Sequence, residues 1–112
     1  MALEKTITAK RGTLGSTVAL LFTVASGWVC EIREIRLVNK SANKTDAYIA
    51  VGTSTSANTQ IYRGALDAAS SGLEGTATSS ARITVPAGES VYGWAAQANN
   101  VDYYISYVLV KP

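Results

Sequence analysis

Histidine is absent from the sequence, and the chain has a single cysteine, Cys30, and two prolines. Without histidine the chain cannot build a serine–histidine triad or a metal–imidazole site, and it lacks the commonest general base near neutral pH. With one cysteine it can form neither an intrachain disulfide nor a zinc site made of thiolates. We interpret Cys30 as a small buried hydrophobic residue within a strand.

Charge is also scarce: 16% of the 112 residues are charged, whereas about a quarter is usual. Much of the surface must therefore consist of small polar residues, and such a surface favours packing into an assembly. Ten basic and eight acidic residues give a net charge of +2, and the basic ones are scattered along the chain. Because nucleic-acid binding normally needs a concentrated basic surface, we expect no nucleic-acid partner.

The acidic residues do not form a catalytic pattern. Within residues 31–36, glutamates and arginines are interposed, which is typical of solvated charge pairs on a strand. A calcium site at Asp46 or Asp102 lacks the clustered Asx spacing that such sites use. The sequence also lacks the glycine-rich phosphate-binding motifs and the G-x-S-x-G nucleophile motif. We predict a non-enzymatic protein with no catalytic residue, no cofactor and no metal.

One segment is similar to a secretory signal, because basic residues precede the apolar run 18–22 and small residues follow it at 24–26. We favour a strand here, since Thr17 and Thr23 interrupt the run and its removal would cost the domain a strand. No apolar stretch approaches the ~20 residues that cross a bilayer. We therefore expect a soluble protein without a membrane partner.

Alternating apolar residues and frequent turn signals predict an all-β chain: an antiparallel, jelly-roll-like β-sandwich of about eight strands. The first strand is predicted at a sheet edge, the second to be buried on both faces, and the last to be central. We divide the chain into an N-terminal arm or edge strand, residues 1–10, and one sandwich domain, residues 11–112. The predicted strands are 3–9, 17–24, 28–39, 46–52, 59–63, 81–85, 90–96 and 101–110.

The strand 28–39 contains a switch of parity. Its apolar residues occupy even positions up to Ile32 and odd positions from Ile35. Because side chains alternate between the two faces of a sheet, this switch requires one extra residue. We predict a β-bulge near Arg33 and Glu34 that bends the strand and turns these two charges outward, as happens where a strand passes from one sheet of a sandwich toward the other.

Residues 23–27 (TVASG) and 84–88 (TVPAG) are similar position by position. Both combine the end of a strand with a turn. Two such corners in a small all-β chain indicate two halves packed face to face, although shared turn chemistry gives the same pattern without duplication.

Two polar segments differ in interpretation. Residues 39–45 contain N-x-[ST] sequons at Asn39 and Asn43, which we interpret as turn chemistry rather than glycan sites. Residues 64–80 are dominated by small residues without a sustained period. A loop this long is usually functional, mobile or packed on a partner; part of it extends a strand or forms a helical turn around 65–69.

The aromatic residues are the remaining candidates for a ligand site. Tyr92 and Trp94 share one face of a strand, as do Tyr103 and Tyr107, with Tyr104 opposite. Exposed together, they would stack on sugar rings; buried, they are ordinary strand residues. We favour burial.

The chain contains Phe22-Thr23-Val24 at a strand end, a turn with Gly27, the segment 32–39, and the segment 83–89 (ITVPAGE) before a closing strand. This strand and turn pattern resembles small β-sandwich structural proteins of tailed bacteriophages. The resemblance covers residues 17–110 and implies a non-enzymatic virion part: a capsid decoration (cement) protein, or a neck, tail or fibre component.

Under this interpretation, the partner is the major capsid protein or another virion protein, the chain forms a homodimer or homotrimer, and it is located in the virion and, during assembly, in the host cytoplasm. A carbohydrate-binding or receptor-binding sandwich is the alternative. Partner contacts are expected in the N-terminal arm and around the segment 64–80. The residues chosen are Leu3, Lys5, Ile7, Tyr62, Arg63, Leu66 and Leu73.

Overall fold

A computed structural model of the chain describes residues 4–68, 76–79 and 82–111. These residues form nine β-strands, and none of them lies in a helix. The all-β prediction is therefore confirmed. The strands are β1 (Glu4–Thr13), β2 (Ala19–Thr23), β3 (Val29–Asn39), β4 (Thr45–Gly52), β5 (Asn58–Leu66), β6 (Thr76–Ser79), β7 (Ile83–Val85), β8 (Ser90–Ala95) and β9 (Val101–Lys111).

The strands form two antiparallel sheets. The first sheet has the order β1-β9-β3-β6, with β7 also paired to β3; the second has the order β2-β8-β4-β5. Since β9 covers one side of β3 along its whole length, β6 and β7 share the other side. If β6 and β7 are counted as one interrupted strand, the fold has eight strands, and their order in the two sheets is that of a jelly roll. This confirms the predicted fold.

The predicted bulge is present in β3. Ile32 pairs with Tyr107 and Glu34 with Ser106, so Arg33 is the extra residue. The expectation that the strand bends into the other sheet is wrong, because β3 pairs with β9 on both sides of the bulge. On the side of β3 that faces away from β9, the paired strand changes at the bulge: it is β7 before the bulge and β6 after it.

The core lies between the two sheets and is built from alternating strand residues. In β9, residues 101, 103, 105 and 107 point inward. Tyr107 stacks on Phe22 of the second sheet, with ring centroids 4.3 Å apart and planes 6° from parallel. Cys30 is fully buried, as expected. Burial and, to a smaller extent, the Glu31 carboxylate raise the pKa of its thiol to about 11.

The second predicted strand is placed differently. It was expected to be buried on both faces, but β2 is an edge strand and Leu20 is 55% exposed. The reason is a second bulge: Leu20 pairs with Tyr92 and Phe22 with Val91, so Leu21 is the extra residue. Because of the bulge, the consecutive residues Leu21 and Phe22 both pack on the core. The sequence of this strand is therefore a continuous apolar run, although its other face is exposed.

Other strands confirm or extend the predictions. β1 lies at the edge of its sheet and continues to Thr13, where a loop was expected from Lys10. The boundary expected at residue 10 thus falls within β1. β9 is central, as predicted, between β1 and β3.

The segment 64–80 was expected to be mainly a loop. It contains the end of β5, through Leu66, and the short strand β6. A strand extension is therefore confirmed, whereas a helical turn is wrong for residues 65 and 66. Residues 69–75 and 80 of this segment lie outside the described residues.

Candidate interaction surfaces

The outer face of the first sheet holds most of the exposed large hydrophobic side chains of the described residues. Because inward residues of β9 have odd numbers, its even-numbered residues point outward together with their cross-strand partners. Three of the four large hydrophobic side chains that are exposed in the described residues lie on this face. They are Ile7 (80% exposed), Tyr104 (41%) and Val29 (36%).

Ile7 stands on edge strand β1 beside Val108, which is 4% exposed. Val108 pairs on its other side with Glu31. In the adjacent row, Val110 lies between Lys5 and Val29. This end of the sheet therefore presents aliphatic side chains on three neighbouring strands.

The other end of the face is polar. Tyr104 lies between Arg11 of β1 and Arg36 of β3. An open depression of about 480 Å³ beside it is lined by Arg11, Gly12, Thr13, Asp102, Tyr103 and Tyr104. A Cβ atom on Gly12 would lie 3.1–3.3 Å from the hydroxyl and two ring carbons of Tyr103, so a larger residue here would require the Tyr103 side chain to shift slightly.

Asp102 is tied into this end of the sheet. Its Oδ1 accepts a hydrogen bond from the Thr13 hydroxyl at 2.7 Å and pairs with Lys40 Nζ at 3.0 Å. Partial burial alone would raise the pKa of Asp102, but the Thr13 hydroxyl and the Lys40 ammonium outweigh it and hold the pKa below its usual value. The carboxylate is thus committed to local contacts.

The glutamates of this face are likewise paired with arginines. Glu31 contacts Arg33 at 2.6 Å and Arg82 at 3.8 Å, and Glu34 contacts Arg36 at 3.4 Å. The interposed charges of residues 31–36 therefore form the ion pairs that the sequence indicated. By contrast, Lys5 and Arg11 have no ion-pair partner in the part of the chain that is described.

The outer face of the second sheet carries a row of stacked side chains. Trp94 of β8 stacks on Tyr48 of β4, with centroids 5.0 Å apart and planes 17° from parallel. The guanidinium carbon of Arg63 in β5 lies 5.6 Å from the Tyr48 ring centroid. Trp94 and Tyr48 are half-buried. Tyr48 is therefore held between an indole ring and a cation.

The aromatic residues divide between core and surface. Tyr103 and Tyr107 belong to the core, and Tyr92 is 3% exposed, so burial was the correct expectation for these three. Trp94 faces outward and is partly accessible. Tyr48 was missed by sequence reasoning, although its position between inward Ala47 and Ile49 was a readable signal.

The residues predicted to contact a partner do not form one surface. Lys5 and Ile7 lie on the outer face of the first sheet, and Arg63 on that of the second. Tyr62 is half-buried and packs on the core, and burial raises the pKa of its hydroxyl; Leu66 is 3% exposed. Leu3 and Leu73 lie outside the described residues.

Asn39 organises the turn between β3 and β4. Its Nδ2 donates to the carbonyl oxygens of Asn43 at 2.8 Å and Asp67 at 2.9 Å. Its Oδ1 accepts from the Ser41 N–H at 2.9 Å and the Ser41 hydroxyl at 2.8 Å. Asn39 is fully buried, so the interpretation of this sequon as turn chemistry is confirmed.

A second depression, of about 270 Å³, lies beside this turn and includes Lys44, Asp46 and Asp67. Lys44 Nζ is 3.7 Å from an Asp67 carboxylate oxygen. Across residues 4–68, 76–79 and 82–111, no three Cys, Asp or Glu side chains are grouped as they would be around a metal ion. The same residues include no helix with the length and hydrophobicity of a membrane span.

No protein-family model and no curated protein matches the chain. Solved structures do share its fold. A chain in the acid-stable capsid of Helicobacter pylori bacteriophage KHP30 is 18% identical, with a TM-score of 0.59; the match covers 97% of this chain and 93% of that chain. A chain of the disulfide-linked pili that form Bacillus endospore appendages is 10% identical, with a TM-score of 0.59, over 97% and 87%. A phage capsid chain is thus among the proteins with this fold, in line with the resemblance drawn from the sequence.

Proposed function

We propose that the chain is a non-enzymatic structural protein of a bacteriophage virion, and that it is a capsid decoration (cement) protein that binds the lattice of the major capsid protein. The observation that carries this proposal is the match along nearly the whole length of both chains to a component of the KHP30 capsid. The match covers 97% of this chain and 93% of that chain, so the two share the jelly-roll fold over nearly all of both sequences.

The surface supports attachment to a neighbouring protein. Few charges cover it, and its first sheet exposes Ile7, Val29 and Tyr104 on one face. Exposed apolar residues grouped on one face mark protein–protein contacts more often than chance exposure does. We infer the major capsid protein or another virion protein as partner, a homodimer or homotrimer as the assembled form, and the virion, with the host cytoplasm during assembly, as location.

The pilus neighbour leads to a different function that the chain fits less well. That neighbour belongs to disulfide-linked pili. The single cysteine of this chain, Cys30, is fully buried, and its thiol is held protonated by the raised pKa. A disulfide between subunits through Cys30 would require the core to open. The virion role is therefore preferred.

A carbohydrate-binding or receptor-binding module, or a tail, neck or fibre component, is the second candidate. The outward row of Trp94, Tyr48 and Arg63 favours it, because aromatic rings on a sheet face stack on sugars. However, one face of Tyr48 is covered by Trp94 and Arg63 also lies over its ring. If this function is correct, Trp94→Ala abolishes glycan-array binding while the circular dichroism spectrum stays native.

Cosedimentation tests the decoration function. Purified protein is mixed with expanded and unexpanded empty heads of the phage that carries the gene, made without this chain. We expect saturable binding to expanded heads and a higher temperature of head disruption. Failure to bind either form of the head would contradict the proposal and favour the tail or fibre location.

A further inference from the structure

We propose that one patch on the outer face of the first sheet docks a different virion protein, whose matching surface is apolar at its centre and carries carboxylates around it. This inference rests on the proposed virion function and specifies its contact. We call the surface the Ile7 patch, which comprises Lys5, Ile7, Arg11, Val29, Tyr104 and Val110.

The centre of the patch is apolar and exposed. Ile7 is 80% exposed although it belongs to a regular strand paired with β9 along its full length. It stands beside buried Val108, and the Val110–Val29 pair forms the next row. An isoleucine this exposed gains from burial, and a partner pocket that covers it also covers the adjoining valines.

The charges around this centre that lack an ion-pair partner in the described part of the chain have one sign. Lys5 and Arg11 are on the same face as Ile7, because they are separated from it by two and four residues of one strand. Neither has an ion-pair partner in the part of the chain that is described, whereas Glu31 and Glu34 of the same face are already paired with arginines. The patch therefore presents two available cations and no available carboxylate.

This charge pattern argues against a second copy as the occupant. A symmetric contact of the patch with itself brings cations of one copy toward cations of the other, and such like-charge contacts are unfavourable.

A charge-reversal variant tests the proposal in the head-binding assay. The double variant Lys5→Glu, Arg11→Glu places two carboxylates beside Ile7. The matched control is Lys10→Glu, because Lys10 is exposed on the same strand, pairs with inward Ile105 and so projects from the opposite face. Both proteins are first checked for native circular dichroism and melting temperature, and for oligomeric state by sedimentation velocity.

We expect the double variant to bind expanded heads at least about tenfold more weakly than the wild type, and Lys10→Glu to bind within about twofold. Raising the salt from 50 to 500 mM should weaken wild-type binding and affect the double variant less. Ile7→Asp should also lose binding.

The outcomes separate the patch from the function. Equal binding of the wild type and the double variant would overturn the proposal that the Ile7 patch is the docking site, and would leave the decoration function in place. No binding by the wild type overturns the function and, with it, the docking partner proposed here. A wild-type dimer that Ile7→Asp converts to a monomer shows that a second copy covers the patch, which also overturns the inference.

Discussion

The backbone N–H of Gly88 donates a hydrogen bond to the carbonyl oxygen of Val24, with the two atoms 2.9 Å apart. The N–H of Val24 in turn donates to the carbonyl oxygen of Glu89, also at 2.9 Å. The two corners that are similar in sequence, 23–27 and 84–88, are therefore joined in space. Each ends in a glycine with positive φ, 88° at Gly27 and 84° at Gly88.

The first prediction concerns these two glycines. Replacing Gly27 or Gly88 by alanine should destabilise the protein by about 1–2 kcal/mol, because residues with a Cβ atom rarely adopt positive φ. Apart from the adjoining residues, no atom in the described part of the chain lies within 4 Å of the added Cβ at either position, so the cost is conformational. Gly15→Ala is the control, since that site is equally open and has no positive φ. Urea unfolding measures all three, and equal effects at Gly15 and Gly27 would refute the explanation.

The stacked pair that joins the two sheets gives the second prediction. Phe22→Ala should lower the free energy of unfolding by about 2–4 kcal/mol, because it removes a ring packed on Tyr107 and leaves a cavity. Leu20→Ala in the same strand should cost less than about 1 kcal/mol, since Leu20 is 55% exposed. Denaturant midpoints at matched m-values decide between these outcomes. Similar losses for both variants would contradict the assignment of Leu20 to the outer face.

The third prediction concerns the buried amide of Asn39, in the turn after β3. Asn39→Ala should cost about 2–4 kcal/mol, because the four hydrogen bonds of a buried amide are lost and the Asp67 carbonyl and the Ser41 N–H lose this partner. Asn43→Ala should have little effect, since the Asn43 side chain is exposed and forms no hydrogen bond within the described residues. Thermal unfolding compares the two. A small effect of Asn39→Ala would show that water replaces the amide.

The fourth prediction concerns alkaline pH. The thiol of Cys30 has its pKa raised from 9.0 to about 11. Below pH 9 it is protonated in both states; between pH 9 and 11 the unfolded thiol loses its proton while the folded one keeps it, so stability falls as pH rises. The loss at pH 10 should be about 1 kcal/mol. Burial also raises the pKa of Tyr103 and Tyr107, which adds a fall in the same direction at higher pH.

The control for this prediction is Cys30→Ala. The variant is expected to be less stable at pH 8, and the informative quantity is the slope of stability between pH 8 and 10. A shallower slope in the variant supports the buried thiol as the cause. Parallel slopes would assign the alkaline loss to other groups.

Local patterns in the sequence were enough to predict some of the structure. The bulge at Arg33 could be predicted because apolar residues change parity around it. The bulge at Leu21 could not, because an apolar run has no parity to read. The Ile7 patch and the Trp94–Tyr48 stack depend on strand register, which joins residues far apart in the chain. Sequence reasoning therefore placed Lys5 and Ile7 in an arm, without showing which face they share or what lies beside them.

Quantitative mass spectrometry of purified virions, with the major capsid protein as reference, measures whether the chain decorates the capsid. We expect the chain in a fixed, high ratio to the major capsid protein, and we expect tailless heads to retain it. A few copies per particle that leave with the tail would contradict the decoration function. Absence from purified virions would contradict a structural virion role altogether.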